Sequence, residues 1–135
     1  MAVIYLDTVV CVLAVENADE DGDKVRELIG GSAQGFCASP LVLMECLVKP
    51  FRTCDLVLET GVRDFLATLR MVDVTRRMWE EAARLRAAKR LGAADSLHLA
   101  IAQLGGCSAL WTADADLAKR SGGFARDILS LPAAP

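Results

Sequence analysis

Val3-Ile4-Tyr5-Leu6-Asp7-Thr8 begins with four apolar residues and closes on a carboxylate. A short apolar run of this kind, bounded by polar residues, reads as a strand buried on both faces. The pattern returns near the other end of the chain, where Ser108 to Trp111 is followed by Thr112-Ala113-Asp114. Strands covered on both faces need a layer above and a layer below, and the intervening sequence supplies helices for them. Thr8 to Val15 reads as a short helix, and Val25, Leu28 and Ile29 form a helical stripe that Gly30-Gly31 ends. Gly35 to Ala38 is a second strand, after which Ser39-Pro40 opens a helix with proline at a tolerated first-turn position. Leu58, Val62, Phe65, Leu66 and Leu69 recur at amphipathic-helix spacing. Met71 to Val74 reads as a third strand, and Arg76 to Arg90 as a helix with Met78, Ala82 and Leu85 on its apolar side. Ala94 to Leu104 is a further helix, Ile128-Leu129 a short edge strand, and Pro132 to Pro135 a tail.

Strands alternating with helices imply right-handed crossovers. The expected fold is therefore α/β: a three-layer α/β/α sandwich with a mainly parallel sheet of four to five strands. No linker, repeat or low-complexity tract interrupts residues 1–135, so one domain is expected. In open sheets of this class, ligands sit at the carboxyl ends of the strands. Asp7 and Asp114 both fall there.

Bulk composition narrows the possibilities. With 53% hydrophobic and 24% charged residues the chain is no disordered tract. A net charge of -3 argues against a passive, charge-driven nucleic-acid coat, although a bound metal reverses the local field. Cys11, Cys37, Cys46, Cys54 and Cys107 are scattered, form no CxxC pair and have only His98 to join them. Buried, reduced thiols in a cytoplasmic protein are expected rather than a zinc site. The amino-terminal run has no basic segment or cleavage motif, and no apolar stretch has the length of a membrane span, so neither secretion nor a membrane is expected.

Four carboxylates carry the chemistry. Asp7 and Asp114 follow strands, and Asp95 opens the helix Ala94-Asp95-Ser96-Leu97-His98-Leu99-Ala100. Each of the three also suits a helix cap, worth about 1 kcal/mol. Glu45 lies inside Leu41-Val42-Leu43-Met44-Glu45-Cys46-Leu47-Val48, an almost wholly apolar helix. A carboxylate there needs a partner, either a metal or an Arg or Lys elsewhere in the chain. Taken together, the four suit a hard cation, Mg²⁺ or Mn²⁺, and through it phosphoryl-transfer chemistry that needs no serine, cysteine or histidine nucleophile. His98 lies one turn after Asp95, either positioning an acid or touching substrate, or packing as a half-buried side chain. Thr112 and Asp116 either extend the site or cap the last helix.

Other motifs fall away. Asn17 to Gly22 imitates an EF-hand start, but Leu28 stands at the terminal ligand position, which leaves a solvated acidic turn. Val9 occupies the position where an aspartyl phosphatase has its second Asp, no glycine-rich phosphate loop follows a strand, and a receiver-like pocket lacks its adjacent acids and its Lys. Arg76, Arg77, Arg84, Arg86, Lys89 and Arg90 form either an RNA track or a solvated face with pairs such as Glu80–Arg84. Val10, Leu13 and the 56–66 stripe are either core or dimer surface.

Tyr5-Leu6-Asp7-Thr8, Leu41-Val42-Leu43-Met44-Glu45, Ala94 to Ala102 (ADSLHLAIA) and Leu110 to Leu117 (LWTADADL) resemble, in order and spacing, the PIN-domain family, and most closely its VapC-type toxins. The resemblance spans nearly the whole chain. It implies a metal-dependent endoribonuclease with Mg²⁺ or Mn²⁺ held by Asp7, Glu45, Asp95 and Asp114, with Asp116 as a further ligand and Thr8, Thr112 and His98 behind them. It also implies a homodimer silenced by a cognate antitoxin. The sequence departs from the family at Val9, where Asn or Ser is common, and so lacks a polar group beside Asp7. The alternative expectation is a non-catalytic α/β binding module in which the acids are only caps.

Overall fold

Ile4, Tyr5 and Leu6 are almost wholly buried, and since successive strand residues point to opposite faces, their strand is covered on both sides. A computed structural model describes residues 2–131. In it this strand, β1 (Val3–Leu6), lies at the centre of a five-stranded sheet whose paired strands all run parallel. The others are β2 (Gly35–Ala38), β3 (Arg70–Met71), β4 (Ala109–Thr112) and β5 (Ala125–Asp127), in the order β3-β2-β1-β4-β5. Tyr5 pairs with Cys37 on one side and Leu110 on the other, and Leu6 pairs with Trp111. The carboxyl ends of β1 and β4 are thus level, and the acids that follow them leave the sheet at the same height.

Seven α-helices complete the described residues: α1 (Thr8–Glu16), α2 (Glu20–Gly30), α3 (Pro40–Thr53), α4 (Leu56–Ala67), α5 (Arg76–Lys89), α6 (Ala93–Leu104) and α7 (Ala115–Arg120). Helix α1 packs against α2, α3 and α4, while α5 packs along α6. The middle of α6, from Ser96 through Ala102, is buried without interruption, and its small residues let it lie close to its neighbours. Val10, Val62 and Leu66 belong to the core, as do Met78, Ala82 and Leu85. This is the expected α/β fold with a parallel sheet.

Two strands differ from their expected positions. The third ends at Met71, because after one more bond (Val72 N–H to Ala38 O, 2.8 Å) the chain turns to Thr75, which caps α5. The fifth is Ala125–Asp127 rather than Ile128-Leu129. Asp127 accepts from the Leu129 amide and starts a 3₁₀ turn, Ile128–Ser130, that buries Ile128 as a core plug. The EF-hand-like stretch is a helix start and not a turn: Asp19 caps α2, and a side chain at Gly22 would strike the Asn17 carbonyl at 2.0 Å. Cys54 is exposed and the other four cysteines are buried, with the thiols of Cys37 and Cys107 3.2 Å apart. Within α5 the ion pairs are Arg76–Glu80 and Glu81–Arg84, not Glu80–Arg84. The tail Pro132 to Pro135 lies outside the described residues.

Candidate active site

Asp7 and Asp114 both cap helices, but each uses one oxygen to do so. Asp7 Oδ1 accepts from the Val10 amide (3.2 Å) at the start of α1. Asp114 Oδ1 accepts from the amides of Asp116 (2.9 Å) and Leu117 (3.3 Å) at the start of α7. Capping therefore leaves an oxygen on each carboxylate for another ligand. Asp95 is no cap: Gly92 holds that position, and Asp95 stands in the first turn of α6. Thr112, fully buried, accepts from the Asp114 amide at 3.1 Å and so shapes the turn between β4 and α7.

Burial, above all, pushes the carboxyl of Asp7 up; the Thr112 hydroxyl and the Val10 amide pull it down, and Asp95 adds to the rise. Asp95 is raised for the same first reason and then by the charge of Asp114, with smaller contributions from Glu45 and Asp116. These acids are thus close enough to repel one another. Among the described residues no Arg or Lys forms an ion pair with Asp7, Asp95 or Asp114; Arg120 reaches only Asp116 (2.7 Å), an exposed residue at the rim.

Glu45 is handled differently. Its partner is neither Arg nor Lys but His98, whose Nε2 lies 2.7 Å from Glu45 Oε1, and the Thr8 hydroxyl donates to the same oxygen at 2.7 Å. The His98 hydrogen bond is the main cause of a lowered Glu45 carboxyl. His98 is buried, not half-buried, and its Nδ1 meets Tyr5 Oη at 2.7 Å; Tyr5 Oη in turn meets Ser39 Oγ at 2.7 Å. Tyr5 and Ser39 escaped the sequence reading, because a tyrosine in an apolar run looks like core and a serine before proline looks like a cap.

The carboxylates share one edge but do not close on one point: among the described residues no three His, Cys, Asp or Glu side chains converge as a ready-made metal cage. An open, carboxylate-only edge fits Mg²⁺ or Mn²⁺ better than it fits zinc, because Mg²⁺ keeps several waters and uses few protein ligands. The mutual repulsion of Asp7, Asp95 and Asp114 is what a cation would relieve.

Outside the edge, α3 and the start of α4 present Met44, Val48, Phe51, Leu56 and Val57 to solvent, with Val57 84% exposed. The apolar helix that carries Glu45 is therefore only half core. Val9 also faces outward, and Asp7 is held by the Val10 amide without help from it. Arg77, Lys89 and Arg90 take no part in an ion pair among the described residues. No helix among those residues is long and apolar enough to cross a membrane.

Residues 4–123 match the family model of the PIN domain. No curated protein matches the chain. Similar solved structures include Mycobacterium tuberculosis VapC20, a Sarcin-Ricin loop cleaving toxin (18% identity, TM-score 0.75, 90% of this chain and 95% of that one). VapBC2 from Rickettsia felis, bound to a DNA fragment from its promoter, aligns at 18% identity and TM-score 0.76 over 92% of this chain and 97% of that one. DNA-bound VapBC from Salmonella typhimurium follows at 21% identity and TM-score 0.72, over 95% and 99%. At these identities the likeness is one of fold.

Proposed function

The chain belongs to the PIN-domain family, and from that premise we propose that it is a metal-dependent endoribonuclease, the toxin of a toxin–antitoxin pair. The observation that carries the reading is the set of carboxylates Asp7, Asp95 and Asp114 at one edge with no Arg or Lys paired to them, Asp7 and Asp95 being raised by burial and then by neighbouring acids. Asp7, Glu45, Asp95 and Asp114 hold Mg²⁺ or Mn²⁺, and Asp116 adds charge at the rim, where Arg120 restrains it. Such a cation, when bound, polarises the RNA phosphodiester and makes a water nucleophilic at neutral pH. The chain's own residues do the rest. Thr8 and His98 keep Glu45 ionised, and Thr112 and the Val10 amide keep Asp7 in place. Arg77 and Lys89 on α5, and Arg90 just past its end, carry no ion pair among the described residues and can meet the RNA backbone.

The remaining parts of the reading follow from the surface. The exposed apolar face of α3 and α4 carries a second copy of the chain, giving a homodimer, because contiguous apolar surface of this kind marks association sites. The acidic edge is where a cognate antitoxin silences the enzyme; the likeness to toxin chains of VapBC pairs supports such a partner. We read residues 1–135 as one PIN-like domain acting in the cytoplasm, with no membrane role.

Purified protein with Mn²⁺ or Mg²⁺ should cleave single-stranded RNA, and both EDTA and Asp95→Asn should abolish the cleavage. A protein that binds an antitoxin yet cleaves nothing, with stability indifferent to Mn²⁺, would be the non-catalytic module instead.

A further inference from the structure

Tyr5, Ser39 and His98 are nearly inaccessible to solvent and form a continuous hydrogen-bonded chain that ends on Glu45. With Glu45 ionised and the imidazole neutral, the direction of every proton in it follows from the last link. An ionised Glu45 can only accept, so His98 must donate to it through Nε2–H. In a neutral imidazole the other nitrogen is then an acceptor. His98 Nδ1 therefore takes the hydroxyl proton of Tyr5, and Tyr5 Oη is left to accept from Ser39. All donors point one way, from Ser39 through Tyr5 and His98 to Glu45.

Ser39 takes part in this chain instead of capping its helix. It is the N-cap residue of α3, a position where a serine hydroxyl ordinarily bonds a helix amide, yet its side chain makes no capping bond. The hydroxyl goes to Tyr5 instead. At the far end, the bonds from Thr8 and His98 both fall on Glu45 Oε1, and Oε2 accepts none from the described residues. One oxygen is anchored and the other is free.

We propose that Tyr5, backed by Ser39, is a positioning residue of the acidic edge: its hydroxyl holds the His98 ring at Nδ1, so that Nε2–H stays aimed at Glu45 Oε1 and Oε2 is left available to a divalent cation. The Nε2–H tautomer follows from this geometry with Glu45 ionised and the ring neutral; the role toward the cation rests on the ribonuclease reading above. Ligating carboxylates are commonly held by such outer hydrogen bonds, and losing one typically weakens metal binding about 10- to 100-fold.

His98 is the only histidine in the chain, so a long-range ¹H–¹⁵N spectrum of histidine-labelled, metal-free protein reports this one ring. The wild-type ring should show a protonated Nε2 and an unprotonated Nδ1. Tyr5→Phe keeps the aromatic ring but removes the donor; the Nδ1 shift should move to that of a nitrogen without a hydrogen bond while Nε2 keeps its proton, and Mn²⁺ affinity measured by calorimetry should fall about tenfold. Ser39→Ala, which leaves the Tyr5 donor in place, should shift the ring in the same direction by less. A wild-type ring protonated on Nδ1 overturns the proposal without any variant. So does a Tyr5→Phe protein whose Nδ1 shift and Mn²⁺ affinity match the wild type. If wild-type protein shows the Nε2–H tautomer but binds no Mn²⁺, the ribonuclease reading fails and the hold of Tyr5 on the ring stands.

Discussion

Glu45 and Asp95 occupy the same acidic edge, and the protein treats them in opposite ways. On the α3 side, Glu45 receives two hydrogen bonds and its carboxyl is held below the ordinary range. On the β1–β4 side, Asp7, Asp95 and Asp114 have amides and a hydroxyl beside them but no Arg or Lys pairing with them, and Asp7 and Asp95 are pushed up. The first region solves its charge problem internally. The second leaves it open, which costs stability in the folded protein and is retained where an external cation completes the site. A carboxylate's burial alone does not mark it as functional; what marks it is burial that the chain has left uncompensated.

Removing a carboxylate from the open side should have the largest effect. Asp95→Asn or Asp7→Asn should lower RNA cleavage on the order of 10³-fold, since a cation's charge stabilisation is worth several kcal/mol and each 1.4 kcal/mol is tenfold. Asn caps helices as well as Asp, so Asp7→Asn leaves α1 intact and loss of activity cannot be assigned to unfolding. Equal activity in both variants would erase the distinction between the two regions.

On the closed side, the same kind of deletion should instead reach stability. His98→Ala removes the acceptor of the Tyr5 hydroxyl, which keeps only its bond with Ser39, and leaves Glu45 with Thr8 alone, at about 1–3 kcal/mol for a buried hydrogen bond lost. Denaturant titration should show that loss with an unchanged slope. Asp95→Asn should do the reverse in metal-free protein and raise the melting temperature, by under about 1 kcal/mol after solvent screening at this half-exposed edge.

Much of this contrast was written in the sequence, and the part that was not has a common cause. Strands β1, β2 and β4 are legible because each is an apolar run in the middle of the sheet, and Asp7 and Asp114 are legible because they stop those runs. Strands β3 and β5 are two and three residues long, and only the pairing of Met71 with Ala38 or of Ala125 with Leu110 defines them. The partner of Glu45 was unreadable for the same reason. Its hydrogen bond spans 53 residues, and the Tyr5–His98 link spans 93. Local pattern shows that Glu45 needs a partner; only the crossing of α3, α6 and β1 shows which one.

Acid should separate the two regions by sign. Asp7 and Asp95 are raised from an ordinary 3.8, so between 3.8 and their folded values the native protein binds more protons than the unfolded chain. Stability then falls as pH rises through that window and is regained on acidification. Glu45, lowered from 4.5, behaves oppositely: its contribution is full above 4.5 and disappears as pH falls through its folded value. Thermal melts of metal-free protein from about pH 7 to 4 should therefore rise before they fall. Saturating Mg²⁺ should remove the rise by keeping the open-side acids ionised, and Asp95→Asn should shrink it without Mg²⁺. A curve that only falls would mean that the open side is compensated after all.

The smallest effect on the fold itself should come from the apolar face, and it tests whether the contrast between internal and external compensation extends beyond charge. Phe51 is 56% exposed and Val57 84%, so neither contributes much packing to its own protomer. Phe51→Glu and Val57→Lys should each change the stability of the isolated chain by within about 0.5 kcal/mol, the usual range for exposed positions. If this face is completed by a second copy, as the acidic edge is completed by a cation, either charge would be buried without a partner in the dimer, and light scattering should report monomers at concentrations where the wild type is dimeric. A wild type that is monomeric throughout, or a variant dimer as tight as the wild type, would confine the principle to the acidic edge and leave α3 and α4 with exposed apolar surface that serves another purpose.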